Sequence, residues 1–240
     1  MYAQIDGGML LMRNEGWKEN KIGRVFRGSD RYEETDKRLW IKDSEYVSHL
    51  GGHEEFERKL SLILDEYSHL DERLIVVSDG AEWIRNWVQA EYPRATLILD
   101  FYHSIEYLSA LAKDYFENEL ERSQWFNKMK RLLLRKRGVH KLIDQINLLA
   151  NVANAEESRQ TLLKYYQSNA KRMNYYYYRQ QNWIIGSGAV EAAHRTVAQR
   201  RLKLSGQRWT KTGAQSVLNL RVLRMSGYWK VLQNHLRHAA

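Results

Sequence analysis

The stretch Gly186-Ser187-Gly188-Ala189-Val190-Glu191-Ala192-Ala193-His194-Arg195 places one carboxylate among small residues, directly after a glycine turn. Two glycines and a serine favour a loop that leads into the N-terminus of a helix. At helical spacing Val190, Ala193 and Val197 form a narrow apolar stripe, and Glu191 lies on a neighbouring face. The pattern predicts a helix that directs Glu191 towards a functional site. If the segment stood alone, a surface ion pair between Glu191 and a basic neighbour would be the simpler explanation.

Short apolar runs and helical patterns elsewhere in the chain predict a mixed α/β fold. Residues 2–6 have weak strand character, and the runs 74–77 and 95–99 are apolar throughout, as in strands that are buried on both faces. A helical pattern over residues 81–92 connects those two runs. From residue 103 to about 179, only helical periodicity is found. We therefore expect an α/β sheet flanked by helices, followed by an all-α segment.

Acidic residues stand where the predicted strands end. Asp6 and Asp79 each close a predicted strand and precede glycine, and Asp100 closes another. Ligand sites of open sheets form where strands end, because the loops converge there. Clustered carboxylates repel one another unless cations neutralise them, and oxygen ligands without cysteine suit Mg²⁺ or Mn²⁺. Together with Glu191, these acids predict a two-metal site for phosphodiester chemistry, although each Asp-Gly alone is as readily an ordinary turn.

Charge is unevenly distributed along the chain. Residues 1–119 contain 15 Lys and Arg against 24 Asp and Glu, whereas residues 120–240 contain 23 against 5. A basic half of this strength predicts a polyanionic partner, and nucleic acid is the commonest one. The predicted DNA contacts are Lys128, Lys130, Arg131, Arg135, Lys136, Arg137, Arg195, Arg200, Arg201 and Arg208 for phosphates, with Trp209 for an unpaired base. The alternative for the basic residues is a solvated helix face, and the alternative for Trp209 is a position in the core.

Composition excludes several classes of protein. The chain has no cysteine, which removes disulfide frameworks and thiolate metal sites and fits a reducing cytosol. No run of about 18 apolar residues is present, so we expect no membrane span and no membrane partner. The first residues do not have the pattern of a signal peptide. The sequence therefore predicts a cytoplasmic protein.

Four motifs follow one another along the chain: Ile-Asp-Gly-Gly with Asp6, Val-Ser-Asp-Gly-Ala with Asp79, Asp100-Phe-Tyr-His103, and Gly-Ser-Gly-Ala-Val-Glu-Ala-Ala-His with Glu191. In this order they resemble the motifs of the DDE transposases of bacterial insertion sequences. The mutator-like branch is the most similar, because it carries a Cys/Asp-x-x-His signature between its second Asp and its Glu. The resemblance covers essentially the whole chain and includes Gly206-Gln207-Arg208-Trp209.

The resemblance implies an RNase H-like core formed by residues 1–103 and 181–240, with a helical insertion at residues 104–180. It implies that Asp6, Asp79 and Glu191 are catalytic and bind Mg²⁺, for which Mn²⁺ can substitute, as two ions. His103 would be an accessory catalytic residue, and Asp100 would either orient it or cap the following helix.

By the same resemblance, the reaction would be cleavage of DNA at transposon ends and transfer of the freed strand to target DNA. Double-stranded DNA would be the substrate, and the protein would act as a homodimer in the bacterial cytoplasm, associated with the nucleoid. Such transposases normally carry an N-terminal region that recognises the transposon ends. We expect that region to be missing from this chain, which begins at the first catalytic strand.

Two other functions fit parts of the sequence. Glu66-x-x-His69 and Glu191-x-x-His194 have the spacing that di-iron helical bundles use twice, but such a bundle has no sheet. A transposase-derived DNA-binding module without catalysis is the second alternative. The presence of Asp6, Asp79 and Glu191 disfavours it, because a binding module has no need of them.

Overall fold

A computed structural model describes residues 1–33, 39–67, 73–150 and 152–238 of the chain. Five strands form one sheet in the order β5-β2-β1-β6-β7, and β3 pairs with β4 in a small second sheet. β2 is antiparallel to both β1 and β5. The strands are β1 (Tyr2–Met12), β2 (Gly16–Phe26), β3 (Arg31–Glu33), β4 (Leu39–Ile41), β5 (Glu45–Leu50), β6 (Ile75–Ser78) and β7 (Thr96–Leu99).

β6 and β7 run in the same direction. The Thr96 N–H donates to the Leu74 carbonyl at 2.8 Å, and four residues further along both segments the Asp100 N–H donates to the Ser78 carbonyl at 2.7 Å. Because β1, β2 and β5 are antiparallel and β6 and β7 are parallel, the sheet is mixed, as predicted.

Helices make up the rest of the regular structure. In the described residues between β7 and Gly188, all regular structure is helical, which confirms the predicted α/β class with an all-α segment before the Glu191 helix. No helix in the described ranges is long and apolar enough to cross a membrane. The α-helices are α1 (Glu54–Glu66), α2 (Glu82–Glu91), α3 (Phe101–Tyr115), α4 (Glu119–Leu133), α5 (Gly138–Asn147), α6 (Glu156–Asn169), α7 (Tyr175–Gln180), α8 (Gly188–Ala193), α9 (Arg200–Leu202), α10 (Lys211–Met225) and α11 (Trp229–His238).

β1 is longer than the sequence predicts, and this corrects the position of Asp6. The strand continues through Gly7 and Gly8 to Met12, so Asp6 lies in its middle and not at its end. The chain turns later, where Asn14 and Gly16 have φ angles of 64° and 69°. The Asp6-Gly7-Gly8 motif is therefore not a turn, and its glycines serve close approach of other groups.

The residues form two compact units. The first contains β1–β5, α1 and the chain from α8 onwards, and the second contains α3–α7. The predicted three-part division at residues 103 and 180 stays a prediction. The first unit comprises Met1–Val76, Asn86–Thr96 and Gly188–Ala240, and the second comprises Val77–Arg85 and Leu97–Ser187.

A hydrophobic cluster of the first unit contains the stripe that the sequence predicts. Val190, Ala193 and Val197 are all at most 2% exposed and pack with Leu10 and Leu218, which belong to β1 and α10. The stripe thus fixes which side of α8 faces the sheet. The sheet itself disfavours a di-iron bundle, and His69 of its proposed second motif lies outside the described residues.

Candidate functional site

Asp6 lies beside a buried histidine in the first unit. His194 is 6% exposed, and its Nε2 lies 3.4 Å from Oδ2 of Asp6. Oδ1 of Asp6 accepts a hydrogen bond from the Gly7 N–H at 2.8 Å. The sequence motif contains His194, but our sequence reasoning gave it a role only in the di-iron alternative. Its position opposite a strand carboxylate makes it a site residue.

The two glycines after Asp6 make room for neighbouring side chains. A Cβ at Gly8 would lie 2.9 Å from Cε1 and Nδ1 of His194, closer than real Cβ contacts come. A Cβ at Gly7 would lie 2.6 Å from Oε1 of Glu19. The position of the His194 ring over the strand therefore depends on glycine at position 8.

Two polar side chains attach the Glu191 helix to the sheet. Gln4 is fully buried, and its Oε1 accepts a hydrogen bond from the Val190 N–H at 3.1 Å. Arg24 donates from Nη1 to the Ala189 carbonyl, also at 3.1 Å. Gln4 and Asp6 are two residues apart in β1, so they project from the same face of the strand. The first turn of α8, which carries half-buried Glu191, is thereby held on the Asp6 face of β1.

The helix continues beyond Glu191 as a π-helix over His194–Gln199, which the sequence did not predict. π-Helical segments often occur at functional sites, because the extra residue per turn re-aims a side chain. The Thr196 carbonyl of this segment accepts a hydrogen bond from Nη2 of Arg221. Arg221 thus supports the segment that presents His194 to Asp6.

Basic residues gather around Arg221. Its pKa is lowered first by burial and then by Arg201, Arg224 and Arg200. Arg200 and Arg201 are exposed, as a DNA contact requires. Arg221 and Arg224 therefore lie near Arg200 and Arg201, which the sequence predicts to be DNA contacts.

In the second unit, Asp79 follows β6 and begins the turn into α2. Its Oδ1 accepts a hydrogen bond from the Ala81 N–H at 3.0 Å, as in an ordinary Asx turn. Asp79 also lines a cleft with His103, Glu106 and Tyr165, with a volume of about 560 Å³. Asp79 therefore combines a local turn role with a position beside His103.

Asp100 is fully buried and orients His103. It accepts hydrogen bonds from His103 Nδ1 at 2.6 Å, from the Tyr102 N–H at 3.0 Å, and from the N–H and hydroxyl of Ser187. Burial alone would raise the pKa of Asp100, but the bonds from His103, Ser187 and the Tyr102 N–H outweigh it and hold that pKa below its usual value. Asp100 thus both orients His103 and caps α3.

The contact with Asp100 also decides the tautomer of His103. An ionised carboxylate can only accept hydrogen bonds, so the Nδ1 of neutral His103 carries the proton. Nε2 is then the nitrogen that can take up a proton in the cleft. Ser187, within the Gly-Ser-Gly motif, is a site residue that sequence reasoning missed, because its contact with Asp100 spans 87 positions.

A buried cation of this unit also escaped sequence reasoning. Arg172 is 7% exposed and donates from Nη2 to Asn169, while its Nε and Nη1 have no hydrogen-bond partner among the described residues. Burial, followed by Arg85, lowers the pKa of Arg172, whereas Tyr165 and Asp79 act in the opposite direction. Nothing in the local sequence distinguishes Arg172 from its neighbour Lys171.

The predicted DNA contacts differ in exposure. Trp209 is half-buried and packs against the hydrophobic cluster of the first unit, which favours its core alternative. Lys130 is half-buried as well. The others are all exposed, as phosphate contacts must be, and they stay predictions. These exposed residues are Lys128, Arg131, Arg135, Lys136, Arg137, Arg195, Arg200, Arg201 and Arg208.

In the described residues, no group of three or more His, Cys, Asp or Glu side chains is close enough together to hold a metal ion. Asp6 and Glu191 belong to the first unit, whereas Asp79 belongs to the second. The predicted metal ligands therefore stay a prediction.

Comparisons with known proteins identify a protein family and a distant structural likeness. The chain matches the model of an uncharacterised protein family, UPF0236, over residues 1–234. No curated protein matches it. It is similar to a chain of the Drosophila P element transposase strand transfer complex, with 10% identity and a TM-score of 0.30 over 98% of this chain. The chain covers 66% of that structure's chain, which is just under two thirds of its length.

Proposed function

The chain belongs to the uncharacterised protein family UPF0236, and we propose that it is a DDE transposase, or the catalytic part of one. It cleaves DNA strands in a metal-dependent reaction and joins the freed 3′ ends to target DNA. The motif order of Asp6, Asp79, His103 and Glu191 supports this proposal, as does the mixed sheet followed by helices.

The observation that carries the proposal is the attachment of the Glu191 helix to the Asp6 strand. The contacts of Gln4 with the Val190 N–H and of Asp6 with His194 both lie on one face of β1. A structural helix needs neither a buried glutamine at its first turn nor a histidine opposite a carboxylate. Buried polar groups cost stability, and they are retained where they position a site.

The carboxylates of Asp6, Asp79 and Glu191 would bind the metal. Carboxylate oxygens suit Mg²⁺, or Mn²⁺ as its substitute, and the resemblance implies two ions. Such ions neutralise the charge of the scissile phosphate and activate the attacking oxygen.

His103 would act beside this reaction as a proton acceptor or donor. Asp100 fixes its tautomer and ring orientation, so Nε2 is the ring nitrogen that would accept or donate the proton, and His103 lines the same cleft as Asp79. The substrates are duplex transposon ends and duplex target DNA, and the protein acts on them as a homodimer.

Nicking of supercoiled plasmid in Mg²⁺ or Mn²⁺ tests the proposal. We expect the wild-type protein to nick, and Asp79→Asn and Glu191→Gln to lose at least about 100-fold in rate, because each removes a ligand charge at a reacting phosphate. Asp114→Asn, an exposed acid on α3, is the matched control and should nick normally.

Nicking that survives Asp79→Asn would remove Asp79 from the mechanism. A wild-type protein that binds DNA but never nicks it would identify the chain as a DNA-binding module without catalysis.

A further inference from the structure

A tight turn joins α4 and α5 in the second unit and sets their spacing. Arg137 has a left-handed φ of 57°, and the Gly138 N–H donates to the Arg135 carbonyl at 2.8 Å. A Cβ at Gly138 would lie 2.6 Å from the Leu132 carbonyl oxygen and nearer still to that of Leu133. Only glycine allows α5 to begin this close to the end of α4.

The turn creates a cleft with basic walls. Lys128 and Arg131 are three residues apart on α4 and line the cleft together with Arg135, which belongs to the turn. Lys141, in the first turn of α5, also lines the cleft. Sequence reasoning did not name Lys141, because it lies outside the basic run and reaches the cleft only through the turn.

The charges in this cleft are not compensated. Lys128, Arg135 and Lys141 are exposed and form no salt bridge with any described residue. Within the same described part of the chain, Arg131 donates only to the main-chain carbonyl of Asn127, at 3.1 Å. Asp144 is the single acid in the lining, so the four cations leave an excess of three positive charges.

The floor of the cleft is apolar. It is formed by buried Met129 and half-buried Leu132. A cleft with one sign of charge and low-dielectric walls concentrates the electric field, which strengthens its attraction for anions. Its volume of about 620 Å³ exceeds what a single inorganic phosphate needs, and suits several consecutive groups of a backbone.

We propose that the α4–α5 cleft binds the phosphate backbone of duplex DNA through Lys128, Arg131, Arg135 and Lys141. The rest of the basic run, Lys130, Lys136 and Arg137, does not line the cleft and contributes little. The choice of DNA as the ligand rests on the proposed function. Binding in the cleft itself requires neither a metal ion nor the carboxylates of Asp6, Asp79 and Glu191. The cleft contacts phosphates, so it binds without regard to base sequence.

The test compares two triple variants that remove equal charge from the second unit. The cleft variant combines Lys128→Gln, Arg131→Gln and Lys141→Gln. The control combines Lys113→Gln, Lys164→Gln and Arg179→Gln, three exposed residues of the same unit that do not line the cleft. Fluorescence anisotropy with a duplex of about 30 base pairs and arbitrary sequence, in EDTA, measures affinity between about 50 and 200 mM salt. Melting temperatures show that both variants are folded.

We expect the cleft variant to bind at least about tenfold more weakly, with a salt slope shallower by about 0.9 for each phosphate that the protein no longer neutralises. The control should keep both the affinity and the slope of the wild type. Equal weakening in the two variants would show that net charge alone matters, and would overturn the inference. So would unchanged binding by the cleft variant.

These results separate the inference from the proposed function. Wild-type protein that binds duplex through the cleft but never nicks plasmid supports the inference and refutes the enzymatic proposal. Protein that nicks normally while the cleft variant binds like wild type refutes the inference alone.

Discussion

Replacing Asp100 with asparagine should move the proton of His103 from one ring nitrogen to the other, while a side chain of the same shape stays at position 100. In the wild type, Oδ1 of Asp100 lies 3.0 Å from the Tyr102 nitrogen and 3.2 Å from the Ser187 nitrogen. The amide oxygen of asparagine can accept the same two hydrogen bonds. The amide NH₂ replaces Oδ2, the oxygen that accepts from His103 Nδ1 and from the Ser187 hydroxyl. Because NH₂ is a donor, Nδ1 of His103 must become an acceptor and its proton must move to Nε2.

The expected loss of stability in Asp100→Asn follows from the two hydrogen bonds, from His103 and from the Ser187 hydroxyl, whose partner at position 100 is no longer charged. A hydrogen bond to a charged group is worth about 1.5–3 kcal/mol and a neutral one about 0.5–1.5 kcal/mol. We therefore expect Asp100→Asn to lower the free energy of unfolding by about 2–3 kcal/mol. At about 2–4 °C per kcal/mol for a chain of this size, the melting temperature falls by roughly 4–12 °C. Asp114→Asn on the same helix changes an exposed residue whose side chain forms no hydrogen bond or ion pair with the described part of the chain, so it should change neither quantity.

The pH dependence has a definite sign. The pKa of Asp100 is lowered by folding, so its contribution to stability is present above the unfolded pKa of about 3.9 and is lost as pH falls through the folded value. The difference between wild type and Asp100→Asn should therefore shrink as the pH falls below about 4.

Nitrogen-15 NMR of histidine-labelled protein decides the tautomer directly. We expect the proton of His103 on Nδ1 in the wild type and on Nε2 in Asp100→Asn. The same tautomer in both proteins, or a melting temperature unchanged by the substitution, would refute the reasoning that Asp100 is ionised and orients the ring.

Two glycine substitutions test the close approaches in each unit. Gly8→Ala should displace the His194 ring and reduce nicking at least about tenfold with little change in folding, as crystallography of the variant would show; an unmoved ring would contradict this. Gly138→Ala should destabilise the second unit by about 1–3 kcal/mol, because its Cβ would lie 2.6 Å from the Leu132 carbonyl oxygen. Hydrogen exchange of the α4 and α5 amides measures that destabilisation, and unchanged protection would be the opposing result. Gly188→Ala, where a Cβ meets nothing within 4 Å, is the control for both.

Sequence periodicity predicted the elements that local interactions govern. The apolar runs became β6 and β7, and the stripe of Val190, Ala193 and Val197 became the buried face of α8 and the π-helix. These predictions succeeded because burial of an apolar face depends on spacing along the chain. The prediction that Asp6 lies at a strand end was wrong, because Asp-Gly usually signals a turn. Here the glycine at position 8 instead leaves room for the distant side chain of His194.

The sequence by itself determined the α/β class, the all-α segment and the order of the acidic motifs, because these follow from spacing and composition. Only the tertiary structure decided that Gly8 serves His194, that Asp100 accepts from Ser187, and that Lys141 joins the basic cleft. Each of these depends on residues that are distant in sequence, or on a turn whose geometry a single glycine fixes. Contacts of that kind leave no periodic trace in the sequence, because their distances are set by how the elements pack.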